Sequence, residues 1–305
     1  MRILRRLSLA AMVDAYATIV LGSWTRINGA GMTCPDWPTC HGQLIPSMAD
    51  GTVWEWTHRL LAFALVPLVV AVVAVAWSQR RGSSYVLPVA AAVVGLFAVQ
   101  VFLGAATVHL SNSPVSVVLH WGTGMAFIAA LAAMAIFAWE SERSLTGVLP
   151  PRAIQSTLLG ALAGTSLIAF VTMCVGAYVS SSGAGLACQS IPGCAGNVVV
   201  YGSGQYVQML HRFVAAAALI SAVGSGALAW ACHASARVRA AASIGMALIF
   251  VQVILGLLNV VLRLPTDLRE AHAANAALVF LTFVAATLFA LADTYDTQPE
   301  AARGR

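Results

Sequence analysis

Eight apolar stretches of about twenty residues each follow one another along the chain, separated by short polar intervals. They lie near Leu7–Trp24, Trp56–Ser78, Tyr85–Val108, Ser116–Trp139, Ser156–Val179, Tyr206–Ala231, Val238–Leu262 and Ala271–Ala292. Each can cross a hydrocarbon core of about 30 Å as a helix. Lipid offers no partner to a bare peptide group, so such segments close their hydrogen bonds internally. With 60% apolar and 9% charged residues, little of the chain remains for a separate soluble domain. The expected fold is an all-α membrane protein with eight transmembrane helices.

Every basic side chain apart from histidine is arginine, and their positions set an orientation. Arg2, Arg5 and Arg6 precede the first stretch, and Arg80 and Arg81 follow the second. Arg143 and Arg152, then Arg237 and Arg239, then Arg303 and Arg305 fall on that same side. Arg26, Arg59, Arg212, Arg263 and Arg269 fall on the other. The expectation is a cell (inner) membrane protein with both termini cytoplasmic and the cysteine-bearing loops extracytoplasmic. The net charge of +5 reflects this bias and not nucleic-acid binding. The first stretch also has signal-peptide features, namely basic residues and a small run at Ala15-Tyr16-Ala17. It continues apolar through Thr18–Trp24 and has a counterpart later in the chain, so it is read as a retained span.

That counterpart belongs to an internal duplication. Gly29-Ala30-Gly31-Met32-Thr33-Cys34 recurs as Gly183-Ala184-Gly185-Leu186-Ala187-Cys188, and Cys40 recurs as Cys194. His58-Arg59 recurs as His211-Arg212, Gln100-Val101-Phe102-Leu103-Gly104 as Gln252-Val253-Ile254-Leu255-Gly256, and His120 as His272. Two units are expected, residues 1–145 and 146–305. Each is a four-helix bundle, and a pseudo-twofold axis along the membrane normal relates them.

His58, His120, His211 and His272 each stand near the start of an apolar stretch, at one depth and in two matched pairs. A membrane histidine is costly unless satisfied, which makes it a functional candidate; packing or a hydrogen bond is the plainer reading of any one alone. Neutral imidazole suits iron, zinc and copper. Zinc favours a tetrahedral set with cysteine or carboxylate, whereas two isolated pairs suit a porphyrin bound on both axial faces. Gly22, Gly104, Gly176 and Gly256 would allow close approach of helices or of a flat macrocycle.

Cys34/Cys40 and Cys188/Cys194 fall in outer loops and are read first as disulfide lids, with a metal site or a redox-active pair as alternatives. Glu55 stands one helical turn before His58, where the second unit has Gln208. It is either a proton-moving carboxylate or an interfacial one. Arg59 and Arg212 are candidates for pairing with haem propionates or for anchoring at the head groups. His41 reads as a solvated loop residue, Cys174 and Cys232 as buried thiols, and Asp14 as facing the bundle interior.

The run Gly29-Ala30-Gly31-Met32-Thr33-Cys34-Pro35-Asp36-Trp37-Pro38-Thr39-Cys40, with Glu55-Trp56-Thr57-His58-Arg59 and the later histidines, resembles the haem A synthase family across all eight stretches. The resemblance implies an oxidoreductase that turns a methyl group of haem O into a formyl group by successive hydroxylations, supplying haem A to cytochrome oxidase. It implies a haem b (iron) cofactor on His211 and His272, and substrate haem near His58 and His120 with Glu55 catalytic. Haem O synthase, cytochrome oxidase assembly factors and a membrane electron acceptor are the implied partners. Two departures stand out. Thr25-Arg26-Ile27-Asn28 replaces a more glycine-rich run, and the second cysteine loop lacks an Asp-Trp pair. A b-type cytochrome that only relays electrons is the competing reading. A transporter fits less well, because the polar residues lie away from the midplane.

Overall fold

The structure, a computed structural model, describes residues 1–81, 83–142, 152–194, 196 and 201–296 (at 152, 295 and 296 the backbone alone). The expected unit boundary at 145/146 lies outside the described residues, as do Arg143, Arg303 and Arg305. Among the described residues there are eight helices long and apolar enough to cross a membrane. They are α1 (Arg2–Ile27), α2 (Thr52–Ser78), α3 (Val86–His109), α4 (Pro114–Glu140), α5 (Arg152–Ser181), α6 (Ser203–Ala231), α7 (Ala236–Val261) and α8 (Thr266–Asp296). The protein is a multi-pass membrane protein.

Most helices outrun their apolar stretches. α1 starts at Arg2 instead of Leu7, and α8 at Thr266 instead of Ala271. Hydropathy marks only the part within hydrocarbon. The helix itself continues into the interface, where long arginine side chains can reach water. Local chemistry sets the ends. After α1, Gly29 takes a left-handed φ of 75° and Ala30 N–H donates to Thr25 O at 2.9 Å, closing the helix with a six-residue turn. Gly183, its repeat counterpart after α5, has a φ of 73°. α4 opens with Ser113 as its cap, Pro114 following in the first turn.

In the first half α1 packs on α2 and α4, α3 packs on α4, and α2 and α3 touch more lightly. The second half repeats these pairings: α5 with α6 and α8, α7 with α8, and α6 with α7. Consequently α2 and α4 stand diagonally across one four-helix ring, and α6 and α8 across the other. The halves meet through α4 with α5, α4 with α8, and α1 with α8. Arg26 Nη2 donates to Ser180 Oγ at 2.9 Å across this seam, between residues 154 apart. That separation is the repeat offset. Equivalent positions can touch one another only near the axis that relates them, so the contact fits a pseudo-twofold arrangement.

α4 is the most enclosed helix, and its run of alanines and glycines suits the role, since small residues let membrane helices approach closely. Phe127, Ile128 and Leu131 of α4 meet Ala169 and Met173 of α5 and Ala277 and Phe280 of α8. Leu158, Leu162, Val238 and Phe283 form the second core. At the end away from the cysteine loops, Arg237 of α7 pairs with Glu140 of α4 and Asp293 of α8, joining the halves.

Candidate functional site

His58, His120 and His272 are each the seventh residue of their helices, and His211 is the ninth. They therefore lie about 9–12 Å in from the helix starts on the cysteine-loop side. Because their helices are diagonal, paired imidazoles approach across the middle of a bundle. The ring centroids of His211 and His272 are 6.5 Å apart, with planes at 75°. Metal–imidazole bonds of about 2 Å place the centroids of two axial imidazoles about 6 Å apart, so this pair fits a shared iron. His58 and His120 occupy the corresponding positions on α2 and α4. Among the described residues no three His, Cys, Asp or Glu cluster as a metal site, so a tetrahedral zinc centre has no ligand set.

Each histidine rests against a glycine of the preceding helix. A Cβ at Gly22 would lie 2.6 Å from His58 Cε1, and one at Gly176 would lie 2.9 Å from His211 Cε1. At Gly104 and Gly256 the corresponding distances to His120 and His272 are both 3.2 Å. These glycines make room for imidazole rings, where the sequence suggested helix packing or a macrocycle.

The ring nitrogens indicate how the rings are poised. His58 Nδ1 lies 2.9 Å from Thr18 O, so Nδ1–H donates there and the Nε2 lone pair is left to a ligand. The Gln252 amide sits 3.2 Å from His272 Nε2, and Gln100 sits 3.5 Å from His120 Nε2. Nδ1 of His120, His211 and His272 is buried, and these rings face the backbone of Gln100, Thr172 and Gln252 on the preceding helices, as His58 faces Thr18. Half-buried imidazoles in matched pairs, oriented by the backbone of the preceding helices, fit groups held for an iron macrocycle. The repeat had marked Gln100 and Gln252 without giving them a role. Their contact depends on α3–α4 and α7–α8 packing, which no local pattern encodes. The halves differ here too: Asn275 Nδ2 donates to Gln252 Oε1 at 2.8 Å, while Gln100 Oε1 is buried and unpartnered.

The cysteine loops cover the loop-side ends. The structure joins Cys34 to Cys40 and Cys188 to Cys194, with Cα–Cα separations of 4.6 and 4.5 Å. Glu55, 4% exposed, binds the first loop from below. Its Oε2 accepts from Cys34 N–H at 2.9 Å and from the Thr33 hydroxyl at 3.0 Å, and its Oε1 accepts from Arg59 Nη2 at 2.6 Å. Gln208 does the same in the second half: its Oε1 accepts from Cys188 N–H, and its Nε2 donates to Gly185 O at 2.6 Å.

Arg59 and Arg212, the candidates for propionate pairing, bind the cysteine loops. Arg59 donates through Nη1 to Asp36 O and Thr39 O, both at 2.6 Å, and through Nη2 to Cys34 O at 3.0 Å. Arg212 donates to Ser190 O, Pro192 O, Gly193 O and Cys188 O. One residue's offset from the histidine turns each guanidinium away from the bundle centre and up into its loop.

Asp36 organises the first loop further. The Thr39 hydroxyl and the N–H groups of Gly42 and His41 hold its carboxyl at about 2, well below the usual carboxylate range. His41 is exposed, but its Nε2 lies 2.8 Å from Thr33 O, so it takes part in the loop. Cys174 and Cys232 are free and partly buried, and Asp14 Oδ2 is buried without a partner.

A family model described as "Cytochrome oxidase assembly protein" (COX15-CtaA) matches residues 5–284. A curated "Heme A synthase" of Shewanella oneidensis is 27% identical over 91% of this chain and 94% of its own length. One from Shouchella clausii is 30% identical over 70% of this chain and 71% of its own. One from Bacillus pumilus is 27% identical over 70% of both chains.

Proposed function

The chain belongs to the COX15-CtaA family of cytochrome oxidase assembly proteins, and on that premise we propose that it converts haem O to haem A. The observation that carries the reading is the pair of imidazole sites, each cradled by glycine at one depth of a duplicated bundle, in a chain similar throughout to haem A synthases. The halves are unlike at Glu55/Gln208 and around Gln100/Gln252, which suits one haem held as cofactor and the other as substrate.

In this reading His211 and His272 hold haem b, the resident cofactor, which supplies a one-electron redox centre. His58 and His120 hold the substrate haem in the first half. The two disulfide loops close over the sites, and Arg59 and Arg212 hold the loops in place. The helical walls exclude water. Two hydroxylations carry the methyl group to hydroxymethyl and then to a hydrated aldehyde, which loses water to give the formyl group; each takes its oxygen from one admitted water molecule, releases two protons and passes two electrons to a membrane electron acceptor. Glu55 serves the substrate site as the acid–base group. Its partner Gln208 makes the equivalent loop contact with an amide, so holding the loop does not by itself call for a carboxylate. The charge pairs with Arg59, and the carboxylate is in addition assigned to the chemistry.

The described arginines support the orientation proposed for this reading. Arg2, Arg5, Arg6, Arg80, Arg81, Arg237 and Arg239 lie at the end away from the loops, which is taken as cytoplasmic. Haem O synthase and oxidase assembly factors are the proposed partners. The test is expression in cells supplied with haem O, followed by extraction of the haems. The proposal expects haem A in the extract, and haem O with haem b alone would overturn it.

A further inference from the structure

If Arg59 and Arg212 are engaged by the cysteine loops, the propionates of a bound haem need another cation. The seam between α1 and α8 holds one. Arg269 stands three residues before His272, on the same face of α8 and one turn nearer the loop side, where the polar edge of a haem on His272 would point. Arg26, from the last turn of α1, lies within electrostatic reach of both Arg269 and Glu270. Glu270 is only 8% exposed and faces the Ser23 hydroxyl and the Arg26 guanidinium of α1. Two guanidiniums against one carboxylate leave a positive charge unmatched in a partly buried place. Among the described residues Arg269 itself has no ion-paired partner.

The duplication sharpens this. The counterpart of Arg269 in the first half is Val117, three residues before His120 and 8% exposed. The counterpart of Arg26 is Ser180. The seam is thus charged beside one imidazole pair, and the other pair has a valine in place of the arginine. Resting on the haem reading above, the geometry points to Arg269, assisted by Arg26, as the receptor for a propionate carboxylate of the haem held by His211 and His272. A cofactor must stay and a product must leave. The half that retains its haem carries the anion receptor, and the half that releases its haem lacks it.

The test compares haem with its dimethyl ester, in which both carboxylates are blocked. Full-length protein carrying His58→Ala, which limits loading to the second half, is produced without haem supply and titrated in detergent with each compound. Binding and the bis-imidazole spectrum are both followed. The parent should prefer haem over the ester by about tenfold to a hundredfold, as charge-assisted hydrogen bonds imply. Arg269→Gln should bring that ratio close to one while keeping the spectrum, and Arg269→Lys should restore part of it. A parent that binds both compounds equally overturns the proposal without any arginine variant. So does an Arg269→Gln protein that keeps the preference. Should Arg269→Gln fail to fold, Arg26→Gln is the second variant, and a clearly reduced ratio is expected of it. Loss of the haem reading looks different: a spectrum that survives His272→Ala would remove the ligand itself.

Discussion

The two cysteine loops are built on one plan and differ in one charge. In each, a side chain one turn before the histidine accepts from the first cysteine's N–H, and the arginine after the histidine binds the loop carbonyls. The first loop uses a carboxylate, Glu55, and ties it to Arg59; the second uses an amide, Gln208, and leaves Arg212 to the carbonyls alone. The carboxylate adds an ion pair with Arg59 that the amide does not make, and in the proposed function it also serves the chemistry beneath the first loop. Duplication followed by divergence supplies an internal control that a single site would not.

The most severe way to break the comparison is at the iron ligands. His211→Ala or His272→Ala should abolish the resident haem spectrum and with it all product, whereas His58→Ala should abolish product and keep the spectrum. Absorption spectra of the purified variants decide this, and a retained spectrum in His272→Ala would contradict the assignment. Next come the disulfides. Removing either short bridge should cost about 2 kcal/mol of stability, because the closed loops are the same length. Thermal unfolding should show similar losses for Cys34→Ser and Cys188→Ser, while haem A yield should fall more for Cys34→Ser.

Smaller effects sharpen the likeness of the halves. Gly22→Ala and Gly176→Ala place a methyl group too close to an imidazole and should destabilise by about 1–3 kcal/mol. Gly104→Ala and Gly256→Ala, with more room, should cost less, and equal losses across all four would contradict the cradle. The smallest effect concerns Asp36. Its folded-state value of about 2 lies below the ordinary 3.8, so its contribution is complete above about pH 4 and fades as pH falls toward 2. Asp36→Asn should flatten that acid limb of loop stability, measured by protease susceptibility, and leave behaviour at neutral pH little changed.

Much of this was legible in the sequence because its signals are local or repeated. Apolar length marks the spans, matched motifs mark the repeated helix pairings, and the paired histidines mark the positions that the glycines of the preceding helices accommodate. The loop contacts of Arg59 and Arg212 were not legible. Their spacing from the histidines says they point elsewhere, but only the folded loop shows the carbonyls they meet. The Gln100 and Gln252 contacts were hidden for the same reason, since they depend on how α3 and α7 pack on their neighbours. The contact of Arg26 with Ser180 needed both halves in place.

In the proposed function one frame serves two haems, and only the first half adds a reactive carboxylate. The most direct measurement is the haem composition of purified Glu55→Gln, expressed with haem O supply beside the unaltered protein. The account predicts full haem b, an unchanged bis-imidazole spectrum, and haem A reduced by about a hundredfold or more. Haem A at the unaltered protein's yield would contradict it and leave Glu55 with the same role in its loop as Gln208.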